Sequence, residues 1–248
     1  MTNRRTVPVI IYLFFIAISL SGCATKGQVD QKAAIPSKPI TSIALIPIRN
    51  PSQFQVDKRG GPLLFLPGGR IWRELETSGK SSGFTRRMRE LNVNNLGDEL
   101  TARITENLEK RGYQVTVLNK TKIRFDPEDP GDVEYETIKT DADAILNIWI
   151  QEVGAFSILS SSVYRPQFNI GVELVRPGKE GEEIYDDSIV YGAHASKASD
   201  NSIPSDPKFE YKDYDVLMAR SEEVAESLRI GGAALAELVA ANLEPFKK

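Results

Sequence analysis

One cysteine, Cys23, and one histidine, His194, are all that 248 residues contain of either type. Without a second thiol there is no intrachain disulfide, and with one imidazole there is no Cys/His zinc set. A general-base or triad mechanism could draw only on His194, with Ser196, Ser199 and Asp200 close by in sequence. Sequence neighbours rarely converge as triad partners, and no G-x-S-x-G elbow is present. Phosphate-loop spacing is missing as well: SGKSSG at 78–83 has no strand running into it, and no G-x-x-x-x-G-K-[ST] occurs. The acidic stretch DPEDPGD (126–132) lacks the ligand order of a calcium loop and reads as a solvated turn. There is no basic excess, with 31 basic against 34 acidic residues, which argues against broad nucleic-acid binding. The expectation is no catalytic set, no metal, no cofactor and no nucleic-acid partner.

Long apolar runs are also missing. The longest, VPVIIYLFFIAISL from Val7 to Leu20, has 14 residues, short of the roughly 17–25 that span a bilayer. Arg4 and Arg5 precede it and small residues follow, the order of a secretory signal. Its ending, Leu20-Ser21-Gly22-Cys23, resembles the bacterial lipoprotein signal, in which the cysteine is lipidated and becomes the new N-terminus. The resemblance implies that residues 1–22 are removed and that Cys23 is the lipid attachment site. It also implies a chain anchored to the membrane rather than spanning it. Ala24, where an Asp would retain a lipoprotein in the inner membrane, implies the periplasmic face of the outer membrane; the inner membrane is the alternative. Removing residues 1–22 leaves 29 basic and 34 acidic residues, a net charge of −5. Residues 23–39, polar and proline-punctuated, read as a flexible tether.

The remainder, 40–248, reads as one α/β domain. ITSIALIPI (40–48) reads as a strand. Leu96, Leu100, Ile104 and Leu108 recur every fourth residue within 92–112, a helix with Asn94 or Asn95 as N-cap and Gly112 just past its end. YQVTVL (113–118) and DADAILNIWIQEVG (141–154) read as strands, and 167–175 with 183–193 as a hairpin. SEEVAESLRIGGAALAELVAANL (221–243) reads as a helix with Ser221 as N-cap, and its Gly231-Gly232 pair predicts either a close helix–sheet contact or a kink. The predicted order is β-α-β-β-β-β-α, a mixed sheet of four to five strands with two main helices on one face. The strand SIALIPI, the helix ending LEKRGYQV, the later ADAILNIWI, the hairpin and the Ala-rich closing helix together resemble a recurrent periplasmic α/β domain. That domain occurs in the curli secretion lipoprotein and the penicillin-binding-protein activator lipoproteins, and the TolB N-terminal domain is similar.

Residues 49–91 depart from that pattern as a long insertion. From Asp57 to Glu90 it carries eight basic and four acidic residues, together with GGPLLFLPGG. Trp and Arg are enriched at binding hot spots, so Leu64, Phe65, Leu66, Arg70, Trp72 and Arg73 are the candidate partner-contact residues. The blander reading has LLFL folding back as an edge strand. DPKFEYKDYD (206–215) reads as a surface segment. The function expected is a non-enzymatic, lipid-anchored binding or assembly factor of the cell envelope, meeting the membrane through its lipid and either an envelope protein or a second copy of itself. The alternatives are an oligomeric auxiliary subunit of an envelope transport or secretion system, and a hydrolase of envelope polymers.

Overall fold

The computed structural model describes residues 38–58, 69–126, 131–157, 163–178, 182–193, 195 and 201–247, with the backbone alone for 58 and 69–76. Cys23, the tether up to residue 37, His194 and the LLFL stretch lie outside the described residues.

Among the described residues a mixed sheet of seven strands carries four helices. The chain runs β1 (Ser42–Leu45), β2 (Gln55–Lys58), α1 (Gly69–Glu90), α2 (Leu96–Lys110), β3 (Gln114–Val117) and β4 (Ala144–Ser157). It continues through β5 (Tyr164–Val175), β6 (Glu183–Gly192), β7 (Ser202–Ile203), α3 (Tyr214–Ala219) and α4 (Ser221–Leu243). The sheet order is β3-β1-β4-β5-β6-β7, with β2 also on β4. β1 lies parallel between β3 and β4, while β4, β5 and β6 form an antiparallel meander. The α/β class expected from the sequence holds, but the sheet is larger, and β2, α1, β7 and α3 join the predicted order.

The strand periodicity separates two cores. On β1 and the residue after it, Ile43 and Leu45 join the large core formed with the helices, while Ala44 and Ile46 face a smaller cluster with Leu118, Val133, Ile138, Ile145 and Val175. Residues 118–125 and 133–142, from the connection between β3 and β4, supply most of that second layer. In α2 the four predicted residues, Leu96, Leu100, Ile104 and Leu108, are all buried. α4 keeps the predicted limits without a break, and its glycine pair marks a close approach: a Cβ on Gly231 would lie 2.4 Å from the Tyr191 ring. Ser221 does not cap α4 by hydrogen bond; its buried hydroxyl instead accepts from Arg87 Nε at 2.9 Å.

Residues 49–91 are built into the core, at least over their described parts. Phe54, Val56, Phe84 and Met88 are buried with the main cluster. α1 meets β2 through hydroxyls as well as apolar groups. Thr85 Oγ1 accepts from the Phe54 N–H at 2.9 Å and donates to its carbonyl at 3.1 Å, while Ser81 Oγ accepts from the Val56 N–H at 2.9 Å. The helix thus satisfies the edge of β2 that faces away from β4, where a bare edge would invite pairing with another chain. Because buried Ser81 and Thr85 occupy this helix face, its apolar periodicity is hidden in the sequence. The 206–215 segment also differs from expectation: Phe209 and Tyr211 are buried and Tyr211 bridges Tyr164. Its charges point outward because they alternate with the two rings.

Asp143, just before β4, ties the starts of β1 and β4 together. Its carboxylate accepts from the Thr41 and Ser42 N–H groups, both at 3.0 Å, from the two hydroxyls at 2.8 and 2.9 Å, and from Lys38 Nζ at 3.2 Å. The Thr41 bonds above all hold its carboxyl well below the usual carboxylate range. As pH falls below 3.8, the unfolded chain takes up a proton that the folded one refuses, so stability declines until the folded carboxyl also protonates. Asp143→Ala should cost about 2 kcal/mol at neutral pH and flatten that acid limb. Urea unfolding at pH 7 and at pH 3 measures both.

Candidate functional site

β1 and β2 both lie parallel to the same edge of β4, one after the other. The register of β1 ends at Leu45 opposite Leu146, and that of β2 begins at Gln55 opposite Gly154. Between them the chain swings out, leaving the edge of β4 from Asn147 to Gln151 with no strand beside it among the described residues. A cavity of about 440 Å³ fills the gap, within the range of small-ligand pockets. It opens at the carboxyl end of β1, where the connection to β3 leaves on one side and β4 lies on the other. Ligands of open α/β sheets gather at such a switch point.

The outer wall is residues 47–53, held off β4 by contacts with the helices. Thr101 Oγ1 accepts from the Ile48 N–H at 3.0 Å, and Arg89 donates to the Ser52 carbonyl at 2.8 Å. Asn50 reaches the start of α2: its Oδ1 accepts from the Gly97 and Asp98 N–H groups at 2.8 and 3.2 Å, and its Nδ2 donates to Asp98 at 2.7 Å. A residue 45 or more positions away therefore caps α2, not Asn94 or Asn95; Asn95 makes no side-chain cap bond. Close packing reinforces the hold, since a Cβ on Gly97 would sit 2.5 Å from the Ile48 carbonyl oxygen.

The inner wall is β4. Its helix-facing residues, Ala144, Leu146, Ile148 and Ile150, stay apolar, whereas the opposite face runs Ile145, Asn147, Trp149, Gln151. Trp149 lies against Gly171 of β5, where a Cβ would come within 2.2 Å of the indole. Gln151 Oε1 accepts from Ser188 Oγ at 2.8 Å. Buried Asn147 donates to the Gly131 carbonyl at 3.1 Å. Arg49 closes the rim with its guanidinium 3.5 Å from the centre of the Phe125 ring, a cation–π contact. Gln53, Gln55, Ile46 and Val153 complete much of the lining.

Beside this wall the Tyr135 hydroxyl donates to Glu173, pinning the 118–142 layer to the sheet. Burial, then the bond to Glu173, drives the tyrosine well above its ordinary range. Burial also pushes the Glu173 carboxyl up, and Asp186, Glu183 and Asp132 add to the shift.

Of the contact residues proposed from the sequence, Leu64, Phe65 and Leu66 lie outside the described residues. Arg70, Trp72 and Arg73 fall on the first turns of α1, where only the backbone is described. The cavity residues Arg49, Phe125, Asn147, Trp149 and Gln151 were not singled out by sequence reasoning. A signal for three of them was present: the odd positions of β4 turn from aliphatic to amide and aromatic while the even ones do not.

No protein-family model matches the chain, and no curated protein matches it. Among solved structures it is similar to a Xanthomonas campestris protein of the DUF330 family, at 10% identity and a TM-score of 0.36, covering 84% of this chain and 89% of that one. It is also similar to a lipoprotein of Neisseria meningitidis, at 14% identity and a TM-score of 0.34, covering 75% and 96%. A Chlamydia trachomatis protein matches at 12% identity and a TM-score of 0.37, covering 83% and 97%. At these values nothing about activity, ligand or partner follows from the likeness.

Proposed function

We propose that this chain is a lipid-anchored, non-enzymatic binding protein of the bacterial envelope. It is held through Cys23 at the periplasmic face of the outer membrane and engages another envelope component at the gap between β1 and β2. The anchor rests on the Leu20-Ser21-Gly22-Cys23 ending and Ala24. The lining of the cavity carries the binding reading: amides, two aromatic rings, aliphatic groups and one guanidinium. Such groups hold a ligand by shape and hydrogen bonding, and a guanidinium does not exchange its proton in a protein. The stretch around Leu64, Phe65, Leu66, Arg70, Trp72 and Arg73 is proposed as a second contact.

The test is in-cell photocrosslinking of the lipidated chain from Gln53 and Gln151 at the cavity, and from Phe65 and Trp72 in the second stretch. A dominant adduct with one envelope protein is expected from the cavity pair. Self-adducts alone would turn the reading to self-assembly, and adducts from none of the four positions would end it. Cys23→Ser should release the chain from the membrane fraction; a variant that stays bound would refute the anchor.

A further inference from the structure

Resting on that binding reading, we infer that the gap receives an extended peptide segment of the partner, added as a strand along β4 between the end of β1 and the start of β2.

The backbone geometry points to this occupant. Leu146 turns its carbonyl toward β1, where it accepts from the Ile46 N–H at 3.0 Å. Backbone groups of a strand repeat their direction every second residue, so those of Ile148 and Ile150 face the cavity. None of the backbone hydrogen bonds among the described residues joins 47–53 to either of them. Loop 47–53 does not close over them, because Thr101, Arg89 and Asn50 hold it against the helices. What remains is a row of strand donors and acceptors at two-residue spacing, about 16 Å long over five residues. A cavity lies alongside it, and another extended backbone matches that row. Main-chain bonds then supply affinity, and alternate side chains supply selectivity.

The walls specify the segment. On the helix side it meets Ile148, Ile150 and Val153, and on the other side Ile46, Asn147, Trp149 and Gln151. Arg49 is the one charged side chain of the lining, and its guanidinium lies over the Phe125 ring; every second N–H is needed. The fitting segment is therefore free of basic residues, proline-free over about three to five residues, and apolar at alternate positions.

The test uses the full chain in detergent micelles and a displayed library of random heptapeptides. The best binder is synthesised unmodified and with single N-methyl groups walked along its backbone. N-methylation removes a donor without touching a side chain, so each lost bond should weaken binding about tenfold. The expected result is a period of two, with alternate positions sensitive and those between them unaffected. Amide exchange at Ile148 and Ile150 should slow on binding, and Gln53→Trp, which fills the gap from an exposed position, should abolish it. Recovery of no peptide, a flat N-methyl profile, or unchanged exchange at both amides would overturn strand addition. Binding of chitotriose with slowed exchange, in place of peptide, would assign the gap to a sugar instead. None of these failures touches the broader binding reading, which falls only with the crosslinking result.

Discussion

Phe84→Ala should destabilise the domain by about 3–5 kcal/mol. Phe84 is fully buried on α1, in an edge-to-face contact with Phe54, their ring centres 6.4 Å apart. Both rings belong to one core with Leu100 of α2 and Val239 of α4. Truncation removes the ring's transfer energy, leaves a void that the hydroxyl bonds between α1 and β2 prevent from collapsing, and loses the aromatic pair. For a domain of about 200 residues the midpoint of thermal unfolding should fall by roughly 10 °C. Were 49–91 an appendage, the same substitution would change stability by no more than about 0.5 kcal/mol. A single cooperative transition shifted by the full amount identifies the segment as core; an unshifted one would refute the packing described above.

Gly154→Ala should cost on the order of 3 kcal/mol and disturb the cavity at its β2 end. Gly154 has φ +152°, a backbone setting that side chains rarely adopt, and a Cβ there would lie 1.9 Å from the carbonyl oxygen of Gln55. That oxygen is backbone, so no rotamer relieves the clash, and β2 must move away from β4 at the first residue of their register. Gly178 provides the control. It has φ +148° but nothing within 4 Å of the added methyl, so Gly178→Ala reports backbone strain alone, about 1 kcal/mol. The difference between the two in urea unfolding isolates the steric part. Equal losses would mean that β2 does not pack on β4 at this distance.

Both substitutions bear on the part of the chain that is hardest to read from sequence. Residues whose contacts are local or strongly periodic were legible. Leu96, Leu100, Ile104 and Leu108 repeat at helical spacing and are all buried; the β5–β6 hairpin and the limits of α4 follow in the same way. α1 was not legible, because Ser81 and Thr85 are buried by bonding to β2 rather than by hydrophobicity. Phe209 and Tyr211 alternate with Lys208, Glu210 and Lys212, a period of two that fits either a surface ribbon or a strand-like segment with its rings inward. Which it is depends on the sheet and on α4, not on the segment itself.

The sequence by itself determined the α/β class and the helices α2 and α4, because periodicity and turn residues act over a few positions. Only the tertiary structure decided where β2 lies. Its four residues pair with Gly154–Ser157 some hundred positions away, and so short a strand has no stability apart from the partner it meets. The gap follows from that placement: two strands share one edge of β4, and bonds to two helices, through Thr101, Arg89 and Asn50, hold the connecting loop aside. No local pattern encodes a space that exists only because distant segments stop short of one another.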